Sequence, residues 1–115
     1  MKRIAMIAAV SILMLPLPGK AAAREENIAK GKQLSFSPMK GNCLACHMIQ
    51  EGEMTGNLGP PLIQMKQRYP KRGVLRAQIW DASAKNPQSM MPPFGKHGIM
   101  TNEEVDQVVD YLYTL

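Results

Sequence analysis

Cys43-Leu44-Ala45-Cys46-His47 is the stretch on which the reading of this chain turns. Two cysteines three positions apart, followed at once by a histidine, form the pattern of covalent c-type haem attachment. If the stretch is a helical turn, residues three and four apart share one face. Both thiols then reach the two vinyl groups along one edge of a macrocycle, and the His47 imidazole swings beneath the iron. Other uses of the same residues fit less well. A redox dithiol of this spacing belongs in a βαβ setting, and no run of the sequence reads as a strand. Zinc needs about four protein ligands, and only His97 and carboxylates remain to complete the set. A disulfide between Cys43 and Cys46 would close a loop too short to stabilise much.

Working outward, Asn27 to Phe36 reads as a first helix ended by Pro38, with Ile28, Leu34 and Phe36 facing the core. Gly31 inside it costs about 1 kcal/mol of helix propensity, which points to a close backbone approach there. Downstream, Gly59-Pro60-Pro61 is a turn, and Pro61 suits the first position of a short helix through Leu62, Ile63 and Met65. Leu75, Ile79 and Ala82 share one helical face and predict a helix running to about Ala84. Residues 86–98 form a Pro/Gly-rich loop. Thr101 and Glu104 complete a capping box, with Met100 and Val105 placed for a hydrophobic staple. Val105, Val108, Val109 and Leu112 then follow helical periodicity. The fold class expected is all-α, several helices wrapped around one covalently bound haem.

A sixth iron ligand is sought in the 86–98 loop. Thioether sulfur is a weak neutral donor and holds iron only where the loop is already shaped around it. Met91-Pro92-Pro93 meets that need, because the following proline pushes Met91 towards extended geometry. Neighbours in an extended segment point opposite ways, so one of Met90 and Met91 faces the haem. Met91 is the first choice, with Met90 and His97 as rivals. Met48, Met65 and Met100 are assigned to packing. A His/Met pair raises the reduction potential of the iron. Pro60 is expected to fix His47, since a ligating histidine usually donates its second N–H to a carbonyl and proline offers a carbonyl with no competing N–H.

The chain has 115 residues, which suits one domain. Lys2 and Arg3 precede an apolar run from Ile4 to Leu17, and Ala21-Ala22-Ala23 supplies small residues for cleavage. That is the layout of a secretory signal peptide over residues 1–23, leaving a domain at 24–115. The run falls short of the roughly 20 residues that span a bilayer, so a retained anchor is the weaker reading and no membrane association is expected after cleavage. Cleavage lowers the basic count from 14 to 11 against 9 acidic residues, and the formal charge from +5 to +2. Nucleic-acid binding would require a dense basic stripe. The cluster from Lys66 to Arg76 fits a weakly positive docking face instead.

Taken together, these pieces resemble class I cytochromes c, in the order N-terminal helix, CxxCH, Gly-Pro, methionine loop and C-terminal helix. Within that class the chain is similar to the SoxX family, the monohaem subunits of SoxAX cytochromes. The runs that carry the resemblance are Gly41-Asn42-Cys43-Leu44-Ala45-Cys46-His47, Gly56-Asn57-Leu58-Gly59-Pro60-Pro61-Leu62 and Met91-Pro92-Pro93-Phe94-Gly95-Lys96-His97. The resemblance implies haem c on Cys43 and Cys46, axial ligands at His47 and Met91, and Pro60 as hydrogen-bond acceptor. It further implies a periplasmic heterodimer with a SoxA-like haem subunit. Such a complex, an L-cysteine S-thiosulfotransferase, joins thiosulfate oxidatively to a cysteine of the SoxYZ carrier and passes electrons to cytochrome c. Both cysteines are consumed by haem, so electron transfer is the expected part of this chain. The alternatives are a freestanding diffusible electron carrier, and a haem sensor or peroxidase with an open iron position.

Overall fold

The computed structural model describes Leu15, Leu17 and residues 19–115. The charged start and nearly all of the apolar run of the expected signal peptide lie outside the described residues. Four helices organise the rest: α1 (Lys20–Phe36), α2 (Met65–Arg68), α3 (Arg72–Trp80) and α4 (Asn102–Leu112), with 3₁₀ turns at Cys43–Ala45 and Ala82–Ala84. Among the described residues there is no strand, and no helix is long and apolar enough to cross a membrane.

Helix α1 starts earlier than Asn27 because Ala21-Ala22-Ala23 and the residues after them are strong helix formers. Residues 20–26 are all exposed, so this extension adds helix without adding core. The part of α1 that packs begins at Ile28 and lies across α4. Gly31 is buried at the crossing, where a β-carbon would stand 2.6 Å from the Gln107 carbonyl carbon. The close approach expected there is present. One turn on, the Phe36 ring meets Tyr111 edge-on, with centroids 6.1 Å apart, a favoured aromatic geometry.

Helix α4 has the expected cap: Glu104 N–H donates to Thr101 Oγ1 at 3.2 Å, and Thr101 N–H donates to the Glu104 carboxylate at 2.8 Å. Val105, Val108, Val109 and Leu112 are buried together with Met100. The opposite, acidic side of α4 is held by α3. Arg72 donates to Asp106 and Asp110, each at 2.9 Å, and Arg76 donates to Asp106 at 2.9 Å. Two members of the basic cluster are thus neutralised internally, while Lys66, Arg68 and Lys71 stay exposed.

Two expected helices are shorter than periodicity suggests. Helix α3 ends at Trp80 because Asp81 turns extended and its side chain takes the backbone N–H of Ser83. Ala82 is buried as expected, but on a separate 3₁₀ turn. Pro61 does not open a helix. Leu62 N–H is drawn to the Met48 carbonyl at 2.9 Å, and Gln64 adopts a left-handed conformation at φ 50°. The Arg68 guanidinium takes the Pro61 and Ile63 carbonyls instead.

Candidate haem site

The stretch Cys43–His47 is a tight turn launched by Asn42 in the left-handed region, φ 47°. Cys46 N–H and His47 N–H both donate to the Cys43 carbonyl, at 3.2 and 2.8 Å. The spacing expected from the sequence is therefore realised, and both thiols and the imidazole line one cavity. The following loop folds back beneath the turn, with Gly56 N–H on Leu44 O at 2.7 Å and Gly59 N–H on Cys46 O at 2.8 Å. That brings Pro60 under the histidine. His47 Nδ1 lies 2.7 Å from the Pro60 carbonyl oxygen. A carbonyl only accepts, so Nδ1 carries the proton and Nε2 keeps its lone pair for a metal.

The cavity measures about 420 Å³, within the range of roughly 300–1,000 Å³ usual for cofactor pockets. Leu75 and Ile79 of α3 and Leu112 of α4 give it an apolar floor, and Arg68 is the one arginine or lysine that reaches it among the described residues. Cys43 and Cys46 are not joined to one another. Burial pushes the Cys43 thiol up to about 11, with a hydrogen bond to Ser35 acting against the rise. Two unpaired, half-buried thiols, a histidine of fixed tautomer and a largely apolar space beside them fit a porphyrin tied by thioethers. No group of three His, Cys, Asp or Glu side chains that could hold a metal ion occurs among the described residues.

Both candidate methionines of the 86–98 loop line the cavity, but unequally. Met91 is half-buried and packed against the core, whereas Met90 is 80 % exposed. His97 is exposed and stands outside the lining. Of the methionines assigned to packing, Met65 and Met100 are buried, at 2 % exposure each, and also line the cavity; Met48 is exposed. Nothing in local sequence separates a core methionine from a cavity methionine. Sequence reasoning also missed Arg68 and the need for glycine at 59. A β-carbon at Gly59 would lie 2.6 Å from His47 Nδ1, so only glycine lets the chain pass the imidazole.

Comparison with known proteins agrees with this geometry. The family model for cytochrome c matches residues 28–115. An uncharacterized lipoprotein of Aquifex aeolicus (strain VF5) is 35 % identical over 79 residues, covering 64 % of this chain and 36 % of that protein. The chain thus spans about a third of the length of that relative. The crystal structure of SoxXA from P. pantotrophus matches with a TM-score of 0.68 and 25 % identity, over 76 % of this chain and 80 % of the matched one. The chain belongs to the cytochrome c family, as a class I c-type cytochrome of SoxX-like fold that carries haem c on Cys43 and Cys46.

Proposed function

We propose that this cytochrome is the electron-transfer subunit of a SoxAX-type complex, paired with a larger haem subunit that performs the sulfur chemistry. The similarity to a SoxXA chain over most of both chains carries this reading. In that complex thiosulfate would be joined oxidatively to a cysteine of a SoxYZ-type carrier, and cytochrome c would take up the electrons. The sequence has two cysteines, both used for haem, so it keeps no thiol that could hold a sulfur intermediate. Bound haem supplies one-electron redox chemistry.

In this reading His47 and Met91 would hold the haem iron, and the Pro60 carbonyl accepts the hydrogen bond from His47 Nδ1–H. The half-buried position of Met91 supports its choice over exposed Met90. With both residues engaged, the iron would have no position open to outside molecules, which speaks against a sensor or peroxidase. In this reading the chain works outside the cytoplasm, in the periplasm, with residues 1–23 as its leader and 24–115 as the working domain. Covalent attachment suits that setting, where a loosely held haem would be lost.

Affinity capture of the cytochrome from its periplasm, followed by haem staining and mass spectrometry, tests the assignment. A second, larger haem protein should co-purify in about equal amount. Recovery of the chain alone would favour a freestanding carrier. Thiosulfate conjugation to a carrier by the isolated chain would overturn the division of labour.

A further inference from the structure

We infer that Trp80 and Gly95 form a clamp that positions Met91, and so sets both the reduction potential of the iron and its closure to outside ligands. This rests on the reading of Met91 as sixth ligand. A thioether–iron bond is weak, and its survival depends on how firmly the loop presents the sulfur. Pro92 and Pro93 stiffen that loop but do not anchor it.

The anchor lies at its downstream limb. Gly95 N–H and Lys96 N–H both donate to the Trp80 carbonyl, at 3.1 and 3.2 Å. The six-membered ring of the Trp80 indole packs directly against buried Gly95, where a β-carbon would fall among the ring carbons. Arg76 stands 5.3 Å from the centre of the Trp80 ring, within cation–π range. Arg76 is in turn fixed to Asp106 and Asn102 of α4, at 2.9 and 2.8 Å. Lys96 pairs with Asp81 at 3.1 Å, and Met100 N–H donates to Phe94 O at 2.9 Å. On the upstream side Met91 N–H is held by Ser89 Oγ at 3.2 Å. Only Pro92, Pro93 and Phe94 separate Met91 from the clamp, and both prolines have fixed φ. Little slack remains to absorb a shift at Gly95. Trp80 itself is not part of the cavity lining, so it acts through Gly95 as a positioning residue.

The test uses the haem-loaded full chain and five variants: Gly95→Ala, Trp80→Ala, Trp80→Phe, Met91→Ala and the double variant Gly95→Ala/Trp80→Ala. The readouts are reduction potential, the long-wavelength absorption of sulfur-ligated ferric haem, and the rate of cyanide binding to the ferric protein. Gly95→Ala and Trp80→Ala should each lower the potential and speed cyanide binding by about tenfold, corresponding to about 1.4 kcal/mol. Trp80→Phe, which keeps a flat ring on Gly95, should stay near the parent. Adding Gly95→Ala to Trp80→Ala should change little further, because the wall it strikes is gone. If Gly95→Ala yields no haem-loaded protein, the Trp80 pair decides alone. Parent-like potential and cyanide rate in Trp80→Ala, with only thermal stability reduced, would overturn the clamp. Parent-like spectra in Met91→Ala would instead overturn the ligand assignment and the clamp with it.

Discussion

At the scale of single residues, the proximal side of the site depends on one carbonyl and one missing β-carbon. His47 Nδ1 and Pro60 O are 2.7 Å apart, and that contact orients the ring only because Gly59 leaves room for the chain to pass. Gly59→Ala would force a carbon to within 2.6 Å of Nδ1. The ring must then move, and the hydrogen bond to Pro60 is lost with it. Loss of such an outer partner costs roughly 10-fold or more in ligation. Recovery of haem-loaded Gly59→Ala protein should drop by about that factor, with an altered Soret band in whatever is recovered. Normal yield and spectrum would mean that the imidazole has freedom which this packing denies it. The Pro60 contact was legible in the sequence because ligand chemistry demands an acceptor. The glycine before it was not, since its role is a distance between segments and has no local signature.

At the scale of elements, α4 is stabilised at its start by Glu104 and along its acidic side by Asp106, two carboxylates held below their ordinary values. Thr101→Ala removes the cap and should cost about 1 kcal/mol, measured by denaturant unfolding. Glu104 is held below its ordinary value of 4.5 by the Thr101 backbone N–H and then by Lys40. Burial works against ionisation of Asp106, but Arg72 and Arg76 outweigh it and hold the group below 3.8. A carboxylate depressed in the folded state contributes its stability in full above the unfolded value. That contribution is lost as pH falls through the folded one. Glu104→Gln should therefore be less stable than the parent at neutral pH yet lose less on acidification below pH 4.5. Parallel pH profiles for the two would refute this. The capping box could be read from sequence because both partners lie within four residues. The ends of α3 and the absence of a helix at Pro61 could not. Met48 O and Arg68 decide the latter, while α3 stops where Asp81 turns to accept the Ser83 N–H and pairs with distant Lys96. The early start of α1 is the reverse case, where propensity alone extends a helix beyond the packed region.

At the scale of the whole molecule, the hydrophobic core and the haem cavity share their residues. Leu62, Met65, Leu75, Ile79, Phe94, Met100 and Leu112 belong to the core and also line the cavity. The helices thus pack around the cofactor as much as against one another. Without haem, the apolar walls of a cavity of about 420 Å³ would stand open to water. Total folding stability is only about 5–15 kcal/mol, so a stripped chain with that much of its core wetted has little left with which to hold its tertiary packing. The contact of α1 with α4 around Gly31 and Tyr111 lies away from most of the lining and should be the last part to loosen. The double variant Cys43→Ala/Cys46→Ala, purified free of haem, should therefore keep part of its helical circular dichroism but lose a cooperative thermal transition. A sharp transition near that of the haem-loaded parent would show that the helices close on one another without the porphyrin.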